Sequence, residues 1–389
     1  MPESGGATAL RHAWVEIDLG ALVRNFERLE AAVAPARVLP VVKADAYGHG
    51  AVAVARALEP AGAAGFAVAL VEEGIELRQA GVRSQVLVLS PTPEGAEDAL
   101  LEFGLVPAVS GLDQLERIEA RALASGHRLD VHLKFDTGMS RLGLPEATAE
   151  EVLARVRGSR ALRLAGLMSH LAEAENAQSP ANAEQLARFR ALAARLGAEE
   201  RERVALHLAN SAGGLLSPAT RFDLVRSGLA LYGGGPWRQA LGLSPVMAVR
   251  AELVTTREVA PGTRAGYGGR WRAERPSRLG VVPLGYADGY PWRAEARAEA
   301  LLRGRRVPLA GAVSMDLILL DLTECGGEDG EVVTLLGADG VEEVTADELA
   351  LRSGTLVYEI LCHFGLRLPR HPRSAAAGAG RERSGAARA

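Results

Sequence analysis

The chain has 389 residues, 48% of them hydrophobic and 24% charged, with 44 basic and 48 acidic side chains and a net charge of −4. That length supplies a large core and suggests two or three domains, while the near balance of charge gives no footprint for nucleic acid or an anionic membrane. No apolar run approaches the ~20 residues that span a bilayer, and the opening MPESGGATAL, with an acidic Glu3 and no basic lead into an apolar core, is not a secretory signal.

Residues 1–11 are expected to be disordered. Up to about residue 235, short apolar runs alternate with longer amphipathic ones. The runs expected as strands are 38–43, 65–70, 85–90, 105–109, 130–135, 164–169, 204–209 and 223–226. Between them lie helix-like stretches such as 50–58, 112–124 and 183–196, with apolar residues at helical spacing. Eight strands alternating with helices predict a closed, parallel (β/α)8 barrel over 12–240. After the glycines at 233–235 the texture changes. Short β-rich runs at 247–254, 279–284, 307–322 and 331–336 are separated by glycine turns, with a helix near 346–353, so a mainly β domain is expected over 241–373. Residues 374–389, rich in Ala, Gly, Arg and Ser without apolar periodicity, are expected to be disordered. The fold class is therefore α/β, with an N-terminal barrel and a C-terminal β domain.

Lysine stands at only two positions, Lys43 and Lys134, and arginine supplies the other 42 basic side chains. Where a solvated positive charge suffices, this chain uses arginine. The exceptions point to chemistry that a guanidinium cannot do: losing a proton, forming a Schiff base, or being carbamylated. Cysteine gives no comparable signal, since Cys325 and Cys362 are too few for a disulfide framework or a cysteine-based metal site, and no metal is expected.

In such a barrel, function gathers at the C-terminal ends of the strands. Lys43 ends the first expected strand, Lys134 lies near the end of the fifth, and Arg141 follows in its loop. His170 follows the sixth strand, Asn210 and Ser211 the seventh, and Arg226 the eighth. Taken alone, Lys43 could be a nucleophilic amine whose pKa burial lowers, or half of a salt bridge with Asp45. Asn210-Ser211-Ala212-Gly213-Gly214 and Ser227-Gly228-Leu229 suggest a phosphate cradle built from small residues. A Schiff-base lysine and a phosphate cradle at one barrel mouth together suggest pyridoxal 5′-phosphate, PLP.

The residues then resemble those of the bacterial alanine racemases, of fold-type III among PLP enzymes. VVKADAYGHG at 41–50 is similar to that family's PLP-lysine motif; KFDTGMSRLG at 134–143, HLANSA at 207–212 and DLVRSGLALYG at 223–233 resemble further family blocks. AGYGG at 265–269, GYADGYPW at 285–292, VSMD at 313–316 and VYEIL at 357–361 extend the resemblance across the β domain. The resemblance implies that Lys43 holds PLP and serves as one base, with Tyr267 the other, His170 and Arg226 polarising that tyrosine, and Arg226 facing the pyridine nitrogen. It implies a phosphate-binding set of Tyr47, Ser211, Gly228, Leu229 and Tyr358. Arg141 is implied at the cofactor phenolate and substrate carboxylate, Lys134 as a possible carbamate, and Met315 and Tyr286 at the substrate pocket and entrance. It also implies a homodimer with shared active sites, acting on alanine to supply D-alanine for peptidoglycan; the charge balance, the lack of a spanning run and the N-terminal composition lead to the expectation of a cytoplasmic protein. Two departures stand out. Ala312 replaces an arginine common in the family, and Leu-Ala-Glu-Ala-Glu follows His170 where Phe-Ala and a nearby aspartate are usual. Both leave the bases intact and keep a broader racemase, acting for instance on serine, as the alternative. A barrel-type PLP decarboxylase is disfavoured by Arg226, and a non-catalytic PLP carrier by the β domain and Tyr267.

Overall fold

The computed structural model describes residues 10–294 and 297–373, so most of the two expected disordered ends lies outside the described residues. Contacts divide the chain into two compact units, one over Val23–Leu243 and the other combining the described parts of 1–22 and 244–389.

The first unit holds eight parallel strands: Arg37–Pro40, Gly65–Val68, Gln85–Val88, Val106–Val109, Leu129–Lys134, Leu162–Met168, Ala205–His207 and Leu224–Ser227. The middle six pair in sequence order, and Arg37–Pro40 pairs with Leu224–Ser227. Bridges from Val41 to Ala67 and from Asn210 to Arg226 complete the ring. Strands covered on both faces need apolar residues throughout, which is why Gly65–Val68 is wholly buried. The outer helices read as single-sided. In Leu112–Ser125 the buried Leu115, Ile118 and Ala122 recur at helical spacing, and Gly126, at φ 72°, ends the helix in the left-handed conformation that glycine adopts without penalty. The expected strands match within a few residues. The first is the exception, since pairing stops near Val41 and Lys43 lies beyond the strand.

The second unit is built on a seven-stranded sheet, with a three-stranded sheet of Thr255–Val259, Ser277–Val282 and Ile318–Asp321 beside it in the chain's pairing pattern. The strand Ala13–Asp18 belongs to this unit, although 12–240 was expected to form the barrel. It pairs antiparallel with Met247–Glu252 and parallel with Arg370–Arg373. The reason is its two-residue alternation. Val15 and Ile17 are buried across from Val249 and Met247, a half-covered pattern that suits this sheet rather than a doubly covered barrel. The expected run 307–322 resolves into Arg305–Pro308 and Ile318–Asp321, separated by the loop that carries Met315. The helix at Ala346–Ser353 stands where the sequence placed it, and Val357–His363, bearing Tyr358, adds a helix that periodicity did not suggest. Among the described residues, no helix is long and apolar enough to cross a membrane.

Candidate active site

Lys43, half-buried, heads a single turn of unusual backbone. Ala44, Asp45, Ala46 and Tyr47 all lie in the left-handed region, with φ between 52° and 55°. Each such non-glycine residue costs about 1–2 kcal/mol, so the turn persists only because neighbours hold it. Glu73 Oε1 accepts the Ala44 N–H at 2.6 Å, while its Oε2 accepts those of Ala69 and Leu70 at 2.7 and 3.0 Å. Asp45 Oδ1 accepts the Ala51 N–H at 2.7 Å, and the His49 ring donates through Nδ1 to the carbonyls of Ala46 and Tyr47. Tyr232, stacked on His49 at 4.4 Å, donates its hydroxyl to the Val41 carbonyl.

The turn delivers Tyr47 to the loop after the eighth strand. A Cβ at Gly228 would lie 2.4 Å from the Tyr47 hydroxyl, so only glycine fits there. The Gly228 N–H donates to Ser211 Oγ at 3.1 Å, and Ser211 Oγ lies 3.2 Å from Ser227 Oγ. Asn210 caps the short helix Ser211–Leu216 by accepting the Gly213 N–H. Tyr47, Ser211, Gly228 and buried Leu229 thus come together from separate segments. Gly213 and Gly214 have a different use than expected. A Cβ there would meet Leu171 at 2.8 Å and Val225 at 2.5 Å, so these glycines serve packing.

Arg226 lies within its strand, 3% exposed. One terminal nitrogen is 2.9 Å from His207 Nδ1 and donates to the His207 carbonyl; the other is 2.9 Å from His170 Nδ1 and donates to the carbonyls of Ser169 and Leu208. Among the described residues no carboxylate pairs with it. Burial draws this guanidinium down to about 10. Burial, then the Arg226 charge, pushes both His170 and His207 well below the usual histidine range. His207 Nε2 is 2.8 Å from His132 Nδ1, and burial lowers His132 to about 4.

Lys134, the last residue of its strand, is 6% exposed; its carbonyl accepts the Leu144 N–H at 2.8 Å, while its ammonium makes no hydrogen bond or ion pair among the described residues. Burial, followed by Arg226, Arg141 and Lys43, draws its ammonium down to about 8. Asp136, the carboxylate two residues further along the chain, is engaged by its own loop: Oδ1 accepts the N–H groups of Gly138, Met139 and Ser140 at 2.9–3.0 Å. Arg141 is exposed in the following loop. The barrel mouth therefore concentrates the cations Lys43, Lys134, Arg141 and Arg226 without a matching carboxylate on Arg226 or Lys134. That charge and the Tyr47–Ser211–Gly228 cradle fit a dianionic phosphorylated cofactor.

In the second unit Tyr267 is 74% exposed, beside Gly266, Gly268 and Gly269, all at positive φ. A cavity of about 510 Å³ is lined by Tyr267, Tyr286, Trp292, Ala312 and Met315. Tyr358 is half-buried on its helix. Sequence reasoning assigned no role to His132, Gly166, His207 or Glu73. For His132 a signal existed: it stands two residues before Lys134 on one strand and so shares its face.

A closed eight-stranded barrel with a lysine and a buried arginine–imidazole chain at its strand ends, together with a β-rich unit, defines a two-domain enzyme of the barrel class. Residues 17–236 match the alanine racemase N-terminal domain and 246–372 the alanine racemase C-terminal domain. The alanine racemase of a Synechocystis species is 43% identical, covering 92% of this chain and 98% of its own; that of Sorangium cellulosum is 42% identical, covering 94% and 100%. Among solved structures, the Streptomyces lavendulae alanine racemase superposes with a TM-score of 0.88 at 37% identity, covering 93% of this chain and 97% of its own. The Bartonella henselae enzyme, solved with covalently bound pyridoxal phosphate, gives 0.84 at 31%, covering 93% and 99%. The chain belongs to the alanine racemase family.

Proposed function

We infer that this protein interconverts L- and D-alanine as a PLP-dependent, two-base racemase in the cytoplasm, supplying D-alanine for peptidoglycan. The observation that carries the reading is Arg226: a buried guanidinium with no carboxylate partner among the described residues, at the barrel mouth of a chain that matches both racemase domains. Lys43 holds the cofactor covalently. Tyr47, Ser211, Gly228, Leu229 and Tyr358 bind its phosphate, and Arg141 its phenolate. When bound, PLP withdraws electrons from the substrate Cα and makes that proton removable.

The chain's own groups then decide the outcome. Arg226, a cation throughout the working pH range, would keep a proton off a cofactor ring nitrogen held beside it, so that the electron withdrawal supplied to the substrate would be weaker than beside a carboxylate. That favours return of a proton to Cα over transamination or decarboxylation. Lys43 and Tyr267 each hold the Cα proton on one face. A phenol titrates near ~10 in water and needs polarising to act as a base, the task assigned to His170 and Arg226. Lys134, as a carbamate, orients Arg141 against the substrate carboxylate, while Met315 and Tyr286 border the pocket and its entrance.

The active species is a homodimer in which the partner's β unit completes each site. The resemblance supports this, as does the exposure of Tyr267, Tyr286, Trp292 and Met315 on one surface. The second reading, a broader amino-acid racemase, draws on the small Ala312 in the cavity shared by Tyr267 and Met315. A panel of L-amino acids followed polarimetrically, with and without added PLP, separates the two. Loss of rotation for L-alanine well ahead of serine supports the first reading, comparable rates the second, and no PLP-dependent loss for any substrate refutes both.

A further inference from the structure

Arg226, the buried imidazoles of His132 and His207 and the half-buried imidazole of His170 form one hydrogen-bonded chain, and the chemistry of its donors fixes which ring nitrogens accept. A guanidinium has donors and no acceptor. His170 Nδ1 and His207 Nδ1, each 2.9 Å from an Arg226 nitrogen, can therefore only accept there: the nitrogen facing His207 has one hydrogen for the ring and one for the His207 carbonyl, while the other shares its two hydrogens among His170 Nδ1 and the carbonyls of Ser169 and Leu208. Both rings are kept neutral by burial beside that charge, so each carries its one proton on Nε2. His207 Nε2 then donates across 2.8 Å to His132 Nδ1, which must accept. The neighbouring strand is shaped for this contact. A Cβ at Gly166 would lie 2.3 Å from His132 Nδ1, and the register of the pair Leu129–Lys134 and Leu162–Met168 shifts between Val131 and His132.

We propose that His132 is a positioning residue for racemisation: as the acceptor that ends this chain, it fixes His207 as its Nε2–H tautomer and thereby holds Arg226 in place. His132 acts only through His207. Without an acceptor at position 132, the His207 Nε2–H is a buried donor with no partner, which is costly. The ring then gains by moving its proton to Nδ1 or by rotating, and either change sets a donor against the Arg226 guanidinium. The proposal rests on Arg226 being the residue that faces the cofactor ring.

Long-range ¹H–¹⁵N correlation NMR on [¹⁵N]histidine-labelled, PLP-loaded enzyme reads which ring nitrogen is protonated, independently of turnover. The expected result is Nε2–H for His132, His170 and His207; an Nδ1–H signal from His207 overturns the proposal without any variant. His132→Leu, which removes the acceptor and keeps an apolar filling, is expected to change the His207 signals and lower kcat about tenfold with KM within about twofold. His132→Asn, whose amide oxygen can stand in for Nδ1, is expected to restore the His207 tautomer and most of kcat. Unchanged His207 signals in His132→Leu overturn the role of His132. Changed signals with an unchanged kcat overturn the assignment of Arg226 instead. Should His132→Leu fail to fold, the wild-type tautomer and the rescue by asparagine still decide.

Discussion

Lys134 is a buried amine among cations, and its chemistry follows from that setting. Burial and the charges of Arg226, Arg141 and Lys43 favour its neutral form, which appears as pH rises through about 8. An unperturbed lysine would keep its proton until ~10.4. Only the neutral amine attacks carbon dioxide, and the resulting carbamate exchanges a surplus cation for an anion that Arg141 can bind. Enzyme equilibrated with ¹³C-bicarbonate is expected to show a protein carbamate resonance that grows between pH 7 and 9 and is absent from Lys134→Arg. Its absence from the wild type at pH 9 refutes the modification. Lys43 and Lys134 were legible in the sequence because lysine is so scarce. His132 and His207 were not, because a histidine in a strand takes its role from what lies across the barrel.

The turn Ala44–Tyr47 shows where local sequence stops being informative. Ala-Asp-Ala-Tyr has no glycine, and alone it would avoid the left-handed region at about 1–2 kcal/mol per residue. What sustains the turn comes from elsewhere, chiefly the Glu73 carboxylate on the Ala44 N–H. Glu73→Ala is expected to destabilise the protein by about 1–2 kcal/mol in urea unfolding and to speed PLP loss, since the turn carries both Lys43 and Tyr47. Glu72→Ala, removing the exposed neighbouring carboxylate, serves as the control and should change neither. Equal effects of the two would show that Glu73 does not hold the turn. Helices and buried strands were readable from periodicity because their partners lie on a repeating face. This turn repeats nothing.

At the scale of the whole molecule, the inferred division of labour is between chains. If the partner's β unit completes each site, Lys43→Ala and Tyr267→Phe chains, each inactive alone, complement one another. Random exchange makes roughly half the dimers mixed, each with one intact site of two, so activity should recover to roughly a quarter of wild type. No recovery, once mass spectrometry confirms exchange, would mean that both bases come from one chain.

The sequence by itself determined the (β/α)8 barrel and the β-rich second unit, and it pointed to candidate positions at or just beyond the strand ends. These follow from the order of apolar runs, from residue chemistry, and from the rule that loops at one end of a barrel gather together. Only the tertiary structure decided that Ala13–Asp18 leaves the barrel for the β sheet, because strand pairing is settled by which buried face accepts Val15 and Ile17. It alone decided that Asp136 is held by loop N–H groups and not by Lys134. It alone joined His170, Arg226, His207 and His132 into one chain, since hydrogen bonds between residues up to 75 positions apart exist only once the ring of strands has closed.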